Sequence, residues 1–411
     1  METYRVSGYR WVVIVAAIPI IVAAEVFWLT FSPVSSLAQA FYGVDSVSID
    51  LLAMSYMIMY IALTIPASWV VDKFGFRTSL VIGSLAAAVF GVLRAVFAEN
   101  FIGVLVCQFM IAASQPFLIN ISTRAPANWF PVQERATAAG LLTMAQYVGF
   151  VIPMVLSPIL AADASGGGIP RMLWYYAIFA VVCAAIAIIF TRERPAEPAG
   201  PDEAEENLSL ASMVRLFKNR NFIFVIVIAF VSIGIFNTML TLVEGILTPR
   251  GITIEEAGLV GGIFVIAGVF GAVILPMISD NLRIRIRFFT AGMILLAPLY
   301  LGITLIGSFV WLLVVAGAAG FIVMGLAPIL FQHGAEVAYP AKEGTSYGLI
   351  LLMGQVSGVL FVLLFEALSG ADMTLPMILA VVLTALEIPL TMMMKESNTL
   401  LDLREKAKRS P

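Results

Sequence analysis

The chemistry open to this chain lies in the few polar side chains that stand inside long apolar segments. Glu25 is the sharpest case. It sits near the middle of the apolar run 11–32, and Trp28 follows one helical turn later on a similar face. A carboxylate at such a place suits a cationic solute or a proton, and a structural pairing with a neighbouring helix would account for it almost as well. The indole face of Trp28 would attract an ammonium that cannot be fully hydrogen-bonded, by roughly 0.5–2 kcal/mol depending on desolvation; ordinary packing would account for the ring equally well. Gln115, Asn120, Gln146, Asn237 and Gln355 form the uncharged polar set. Each could orient a solute, and each could as simply make a helix–helix hydrogen bond. Glu244 and Glu366 stand near the ends of their segments, where water is expected to reach them. Arg94 and Arg124 also lie toward segment ends, so they are weaker candidates for holding an anion.

Other chemistry is disfavoured. Cys107 and Cys183 both fall in apolar segments, and His333 is the single histidine, so neither a disulfide framework nor a metal site is expected. No nucleotide loop or nucleophile–base pairing stands out. No enzyme, cofactor or metal is therefore expected, and a net charge of -3 gives no sign of nucleic-acid binding.

The elements that must position these residues are apolar segments of about 20 residues, and there are about twelve of them. Runs such as 222–243 and 312–331 carry almost no charge. A soluble helix would show a polar face; these must be membrane helices, each satisfying its own backbone hydrogen bonds. With 61% hydrophobic and 12% charged residues in 411, too little remains for a separate catalytic domain. The first segment is too long for a cleavable signal and lacks a small-residue cleavage site. Positive charges gather on one side, among them Arg10, Lys73, Arg77, Arg192, Arg220, Arg285 and the C-terminal tail, while the other side holds little more than Arg171 and Arg250. We therefore expect a multi-pass protein of the cell membrane with both termini cytoplasmic. A monomer in the lipid bilayer is expected.

The longest polar stretch contains Pro195, Pro198 and Pro201, the acidic run 202–206 and a basic stretch at 215–220. It divides the chain into an N-terminal six-helix bundle (1–191), a cytoplasmic linker (192–220) and a C-terminal six-helix bundle (221–411). Apolar residues at helical spacing over 208–217 would let that part lie along the membrane surface. The halves repeat one another. Asp72-Lys-Phe-Gly75-Phe-Arg77 after the second segment returns as Asp280-Asn-Leu-Arg283-Ile-Arg285 after the eighth. Pro131, Glu134, Thr137, Gly140 and Leu141 return as Pro340, Glu343, Thr345, Gly348 and Leu349. The expected fold is thus an all-α membrane protein: twelve transmembrane helices in two pseudo-symmetric six-helix bundles.

The first of these loops resembles that of the major facilitator superfamily, Gly-x-x-x-Asp-x-x-Gly-x-Arg. Asp72, Gly75 and Arg77 match it, and Ser68 replaces the first glycine. The resemblance implies a transporter of the major facilitator fold. Asp72, Gly75, Arg77 and Asp280 would then form a conformational latch, in which a carboxylate at a helix end meets arginines or helix termini. A solvated turn with ordinary positive-inside charges is the plainer reading. Glu387 falls in the twelfth helix, which in that fold packs outside the cavity, and is set aside. Gly149 and Pro153 could hinge the fifth helix, or mark a packing kink.

A closer resemblance follows from Phe41-Tyr-Gly-Val-Asp-Ser-Val-Ser-Ile-Asp50, from Tyr339-Pro-Ala-Lys-Glu-Gly-Thr-Ser-Tyr-Gly348 and from 116–130, ending Asn128-Trp129-Phe130. These are similar to the feline leukaemia virus subgroup C receptor-related transporters. That family is linked to choline and ethanolamine transport, and earlier to haem export. The resemblance implies a substrate cage in which Trp28 matches a tryptophan, Gln115 and Gln355 match two glutamines, and Phe236 stands in place of a tyrosine. Glu25 has no counterpart in that pattern. The expectation is a secondary active or facilitative transporter of a small organic cation of choline or ethanolamine type, working by alternating access. The substrate-binding residues would be Trp28, Gln115, Phe236, Gln355 and Glu25. The rivals are a proton-coupled carrier of another solute, such as an organic anion or haem-like compound, with Glu25 titrating, and a non-transporting membrane receptor.

Overall fold

The computed structural model describes residues 7–162, 168–195, 216–338, 343–370 and 372–396. Among these residues the chain is helical, with no strand. The helices are α1 (Tyr9–Trp28), α2 (Ser35–Tyr42), α3 (Ser46–Phe74), α4 (Phe76–Val96), α5 (Phe101–Ala112), α6 (Ser114–Ile119), α7 (Ile121–Trp129), α8 (Val132–Ala161) and α9 (Gly168–Phe190). They continue as α10 (Arg220–Thr241), α11 (Val243–Leu247), α12 (Ile254–Leu282), α13 (Ile286–Leu305), α14 (Phe309–Ala338), α15 (Glu343–Leu368) and α16 (Thr374–Met393). These make 12 spans long and apolar enough to cross a membrane. The fourth span is α5, α6 and α7 in series.

Polar side chains set where the apolar helices begin. The Asp45 carboxylate accepts from the Ser48 N–H at 2.9 Å and starts α3. Bonding by Ser48 holds this exposed carboxyl below its usual range. Asn100 starts α5 in the same way, accepting from the Gly103 N–H at 3.0 Å. Thr253 and Glu256 form a reciprocal capping box at α12.

Breaks inside the spans also follow from sequence. Pro116 lacks the N–H that would bond back to Ala112, and α5 stops at that residue. The short α6 that results carries Gln115. Asn120, which separates α6 from α7, donates from Nδ2 to the Thr64 carbonyl at 3.2 Å and so ties the broken span to α3.

The chain divides into two compact units, Met1–Asn207 and Leu208–Pro411. In the first, α1 packs along α8, and α4 along α9. In the second, α10 packs along α15, α13 along α16, and α12 along α14. First span against fifth and third against sixth is therefore the rule in both halves. The α12–α14 pair is closely apposed, because a Cβ at Gly271 or Gly320 would fall on a backbone carbonyl of the facing helix. Most of the expected linker, with the surface stretch 208–217 up to residue 215, lies outside the described residues, as does 339–342 of the second repeated loop.

Candidate functional site

Glu25 occupies the C-terminal part of α1 and is 1% exposed. Its two carboxylate oxygens both accept from Gln115 Nε2, at 3.2 and 3.1 Å. The carboxylate forms no ion pair among the described residues. A hydrogen bond to a charged group contributes about 1.5–3 kcal/mol, which offsets only part of the cost of burying a carboxylate. Gly149 on α8 lets the two helices meet at this level: a Cβ there would come 2.5 Å from Glu25 Cβ and 2.7 Å from the Val22 carbonyl oxygen. Gly149, which the sequence reads equally as a hinge or a packing kink, is thus a point of close approach to Glu25.

Trp28 lies one turn further on and is 6% exposed. Its ring stacks near Tyr56 of α3, with centroids 6.4 Å apart, and meets Phe150 of α8 edge-on at 5.1 Å. Tyr56 is fixed in turn, because its hydroxyl donates to the Ala24 carbonyl at 2.9 Å. The indole Nε1–H is buried and has no hydrogen-bond partner. One cluster in the first unit therefore presents a carboxylate, an amide, aromatic faces and an unspent donor.

In the second unit, Phe236 on α10 and Gln355 on α15 are both half-buried. They lie at one level of a helix pair, since neighbouring Asn237 Nδ2 reaches the Gly354 carbonyl at 3.4 Å. Phe236 has the Phe264 ring beside it at 6.1 Å. Glu244 corrects an expectation: it is 2% exposed rather than wet, because the chain turns at Leu242 into α11 instead of running out to solvent. Glu366 is half-buried. Glu387, set aside on the sequence, is buried on α16 and accepts from Ser232 Oγ at 2.9 and 3.1 Å.

The repeated loops are built alike. Asp72 is half-buried near the end of α3, within electrostatic reach of Arg124. Gly75 has φ +89, and the Glu193 carboxylate lies where its Cβ would be, so two separate constraints require glycine. Glu193 accepts from the Phe76 N–H at 3.2 Å and the Arg77 N–H at 2.7 Å, capping α4, while Asn128 Nδ2 donates to it at 3.2 Å. The Arg77 side chain is exposed. In the second unit Arg283, in the place of Gly75, is also left-handed at φ +53. Arg285 donates to Asp280 at 2.9 Å and pairs with Glu336 at 2.7 Å. Burial opposes its charge, but these carboxylates outweigh that and hold its pKa above the usual value. Glu396 accepts from the Arg285 and Ile286 N–H groups at 3.1 and 3.2 Å and caps α13 as Glu193 caps α4. Neither glutamate was singled out from sequence. The available signal was their common setting, a basic residue then Glu three residues past the last helix of each half. Among the described residues no group of three or more His, Cys, Asp or Glu is placed to hold a metal.

Comparison with known proteins agrees with this architecture. The chain is 30% identical over 386 residues to the choline/ethanolamine transporter FLVCR2 of Homo sapiens, covering 88% of this chain and 72% of that protein. It is 28% identical over 364 residues to the choline/ethanolamine transporter FLVCR1 of Felis catus, covering 82% and 63%. Its fold matches the crystal structure of a bacterial homolog of the human lysosomal transporter Spinster, with TM-score 0.76, 16% identity and coverage of 94% and 97%. The Major Facilitator Superfamily profile matches residues 6–362. Twelve spans, paired alike in two halves and matched by that profile over most of their length, place this chain in the major facilitator superfamily of membrane transporters.

Proposed function

We propose that this transporter carries a small organic cation of choline or ethanolamine type by alternating access, with Glu25, Trp28 and Gln115 as the first half's part of the substrate site. The observation that carries this is Glu25: a carboxylate buried in the bundle against a single amide, one turn from an aromatic face. A cation entering there gains charge neutralisation from Glu25 and quadrupole attraction from Trp28 and Tyr56. The unpartnered Trp28 Nε1–H would donate to a substrate hydroxyl oxygen, and the Gln115 carbonyl would accept from the hydroxyl or an ammonium N–H. Phe236 and Gln355 are the second half's proposed contribution to binding. Asp72, Gly75, Arg77 and Asp280, together with Glu193 and Glu396, are proposed to hold the helix ends through the cycle. The named activity of the two FLVCR relatives supports the substrate class. The proposed setting is the cell membrane, with both termini in the cytoplasm.

The same carboxylate favours a second reading, in which Glu25 takes a proton and the solute is of another class. Equilibrium binding of labelled choline and ethanolamine to purified protein separates the two. Other small ammonium compounds should compete, and carboxylates of similar size should not. Competition by carboxylates alone would refute the cation assignment.

A further inference from the structure

The first unit contains a second buried charge, and the cation site does not use it. Arg94 lies in the last turn of α4, 0% exposed. A guanidinium stays protonated in proteins, so this is a permanent positive charge inside the bundle. It has no carboxylate ion-pair partner among the described residues. Glu25 is committed to Gln115. Neutral groups lie against the guanidinium. Its Nη1 donates to Gln108 Oε1. Gln108 is locked in that orientation because its Nε2 donates to the Phe27 and Leu52 carbonyls at 3.0 and 3.2 Å. The Phe27 ring lies 4.6 Å from the guanidinium carbon.

The remaining nitrogens, Nε and Nη2, are buried and unpartnered. They form one edge of the planar fork, the edge that accepts an anion through two parallel N–H bonds. The Tyr42 hydroxyl, at the C-terminal end of α2, is also buried and unpartnered, and it lies within electrostatic reach of Arg94. Two unspent donors of Arg94 thus lie at the end of the first unit away from Gly75 and Glu193, with a third, the Tyr42 hydroxyl, within electrostatic reach. Tyr42 is itself half-exposed.

We propose that this place is a binding site for a small monovalent anion of halide type, held by the Nε and Nη2 edge of Arg94 and by the Tyr42 hydroxyl. The bound anion would compensate Arg94 and brace the packing of α2 on α3. Aromatic rings and full burial favour a compact ion over an extended organic acid.

The test needs no transport substrate. The melting temperature of the purified full chain is measured in sodium chloride, bromide, formate and gluconate at constant ionic strength. Chloride and bromide should raise Tm saturably over gluconate, as a ligand selective for the folded state does. Formate tells whether a short carboxylate shares the site. Arg94→Gln should abolish the chloride–gluconate difference. Because that variant could fail to fold, Tyr42→Phe provides a second reading: it removes one hydroxyl and should weaken apparent chloride affinity by about tenfold. Anomalous scattering from bromide-soaked crystals should peak beside Arg94. Equal Tm in all four salts, a chloride effect unchanged in Tyr42→Phe, or bromide found only elsewhere would overturn the site. None of these outcomes bears on choline or ethanolamine binding.

Discussion

Glu25 and Trp28 stand three residues apart on α1 and are asked for different things, one for charge and one for a polarisable face. Their substitutions should therefore separate. Trp28→Ala should weaken ammonium binding by about tenfold or more, while Trp28→Phe, which keeps a π face, should cost only a few-fold. Glu25→Gln keeps the shape and should abolish binding of the cation or remove its pH dependence. Titrations with one labelled ammonium check all three; binding indifferent to both residues would end the cage model. Gly149 makes a different kind of demand. With Glu25 Cβ and the Val22 carbonyl within 2.7 Å of where its Cβ would lie, Gly149→Val should force α8 off α1, lowering Tm and abolishing binding together. Glu25 was legible in the sequence because an acid in an apolar run is conspicuous. Tyr56 and Phe150 were not, because aromatic residues are ordinary in such helices and only packing selects those that face Trp28. Glu244 misled for a related reason: distance from a segment end measures depth along the helix, not which way the chain turns next.

At the scale of elements, the helix ends carry the larger constraint. The same device appears twice, a glutamate beyond the last span of each half returning to cap the third span of that half. Glu193→Gln keeps an acceptor but removes the charge that favours a helix N-terminus, typically worth 0.3–1 kcal/mol. We expect a small loss of Tm and a clear slowing of transport, and the same for Glu396→Gln. Asp72→Asn should loosen the latch with little loss of folding. Cysteines placed on the face that carries the helix ends should then label faster; unchanged labelling would remove the latch role from Asp72. The sequence announced this region through the repeated Asp-to-Arg spacing. It did not announce Glu193 or Glu396, which lie far along the chain from the residues they cap.

Across the whole molecule, the segment count and the repeat were readable because a bilayer imposes both length and apolarity on every span. The pairing of first span with fifth and third with sixth was not, because helices of uniform apolarity carry little directional signal. Orientation rests on the Lys and Arg bias, so a reporter fused to the C-terminus should read cytoplasmic; an external reading would invert the topology. The most direct test of the central claim is uptake of labelled choline and ethanolamine into liposomes containing the purified protein. The expected result is saturable uptake that small ammonium compounds inhibit, that carboxylates of equal size leave alone, and that Glu25→Gln and Trp28→Ala abolish or strongly reduce. Absence of ammonium uptake in a preparation that moves a carboxylate, or uptake untouched by both substitutions, would contradict it.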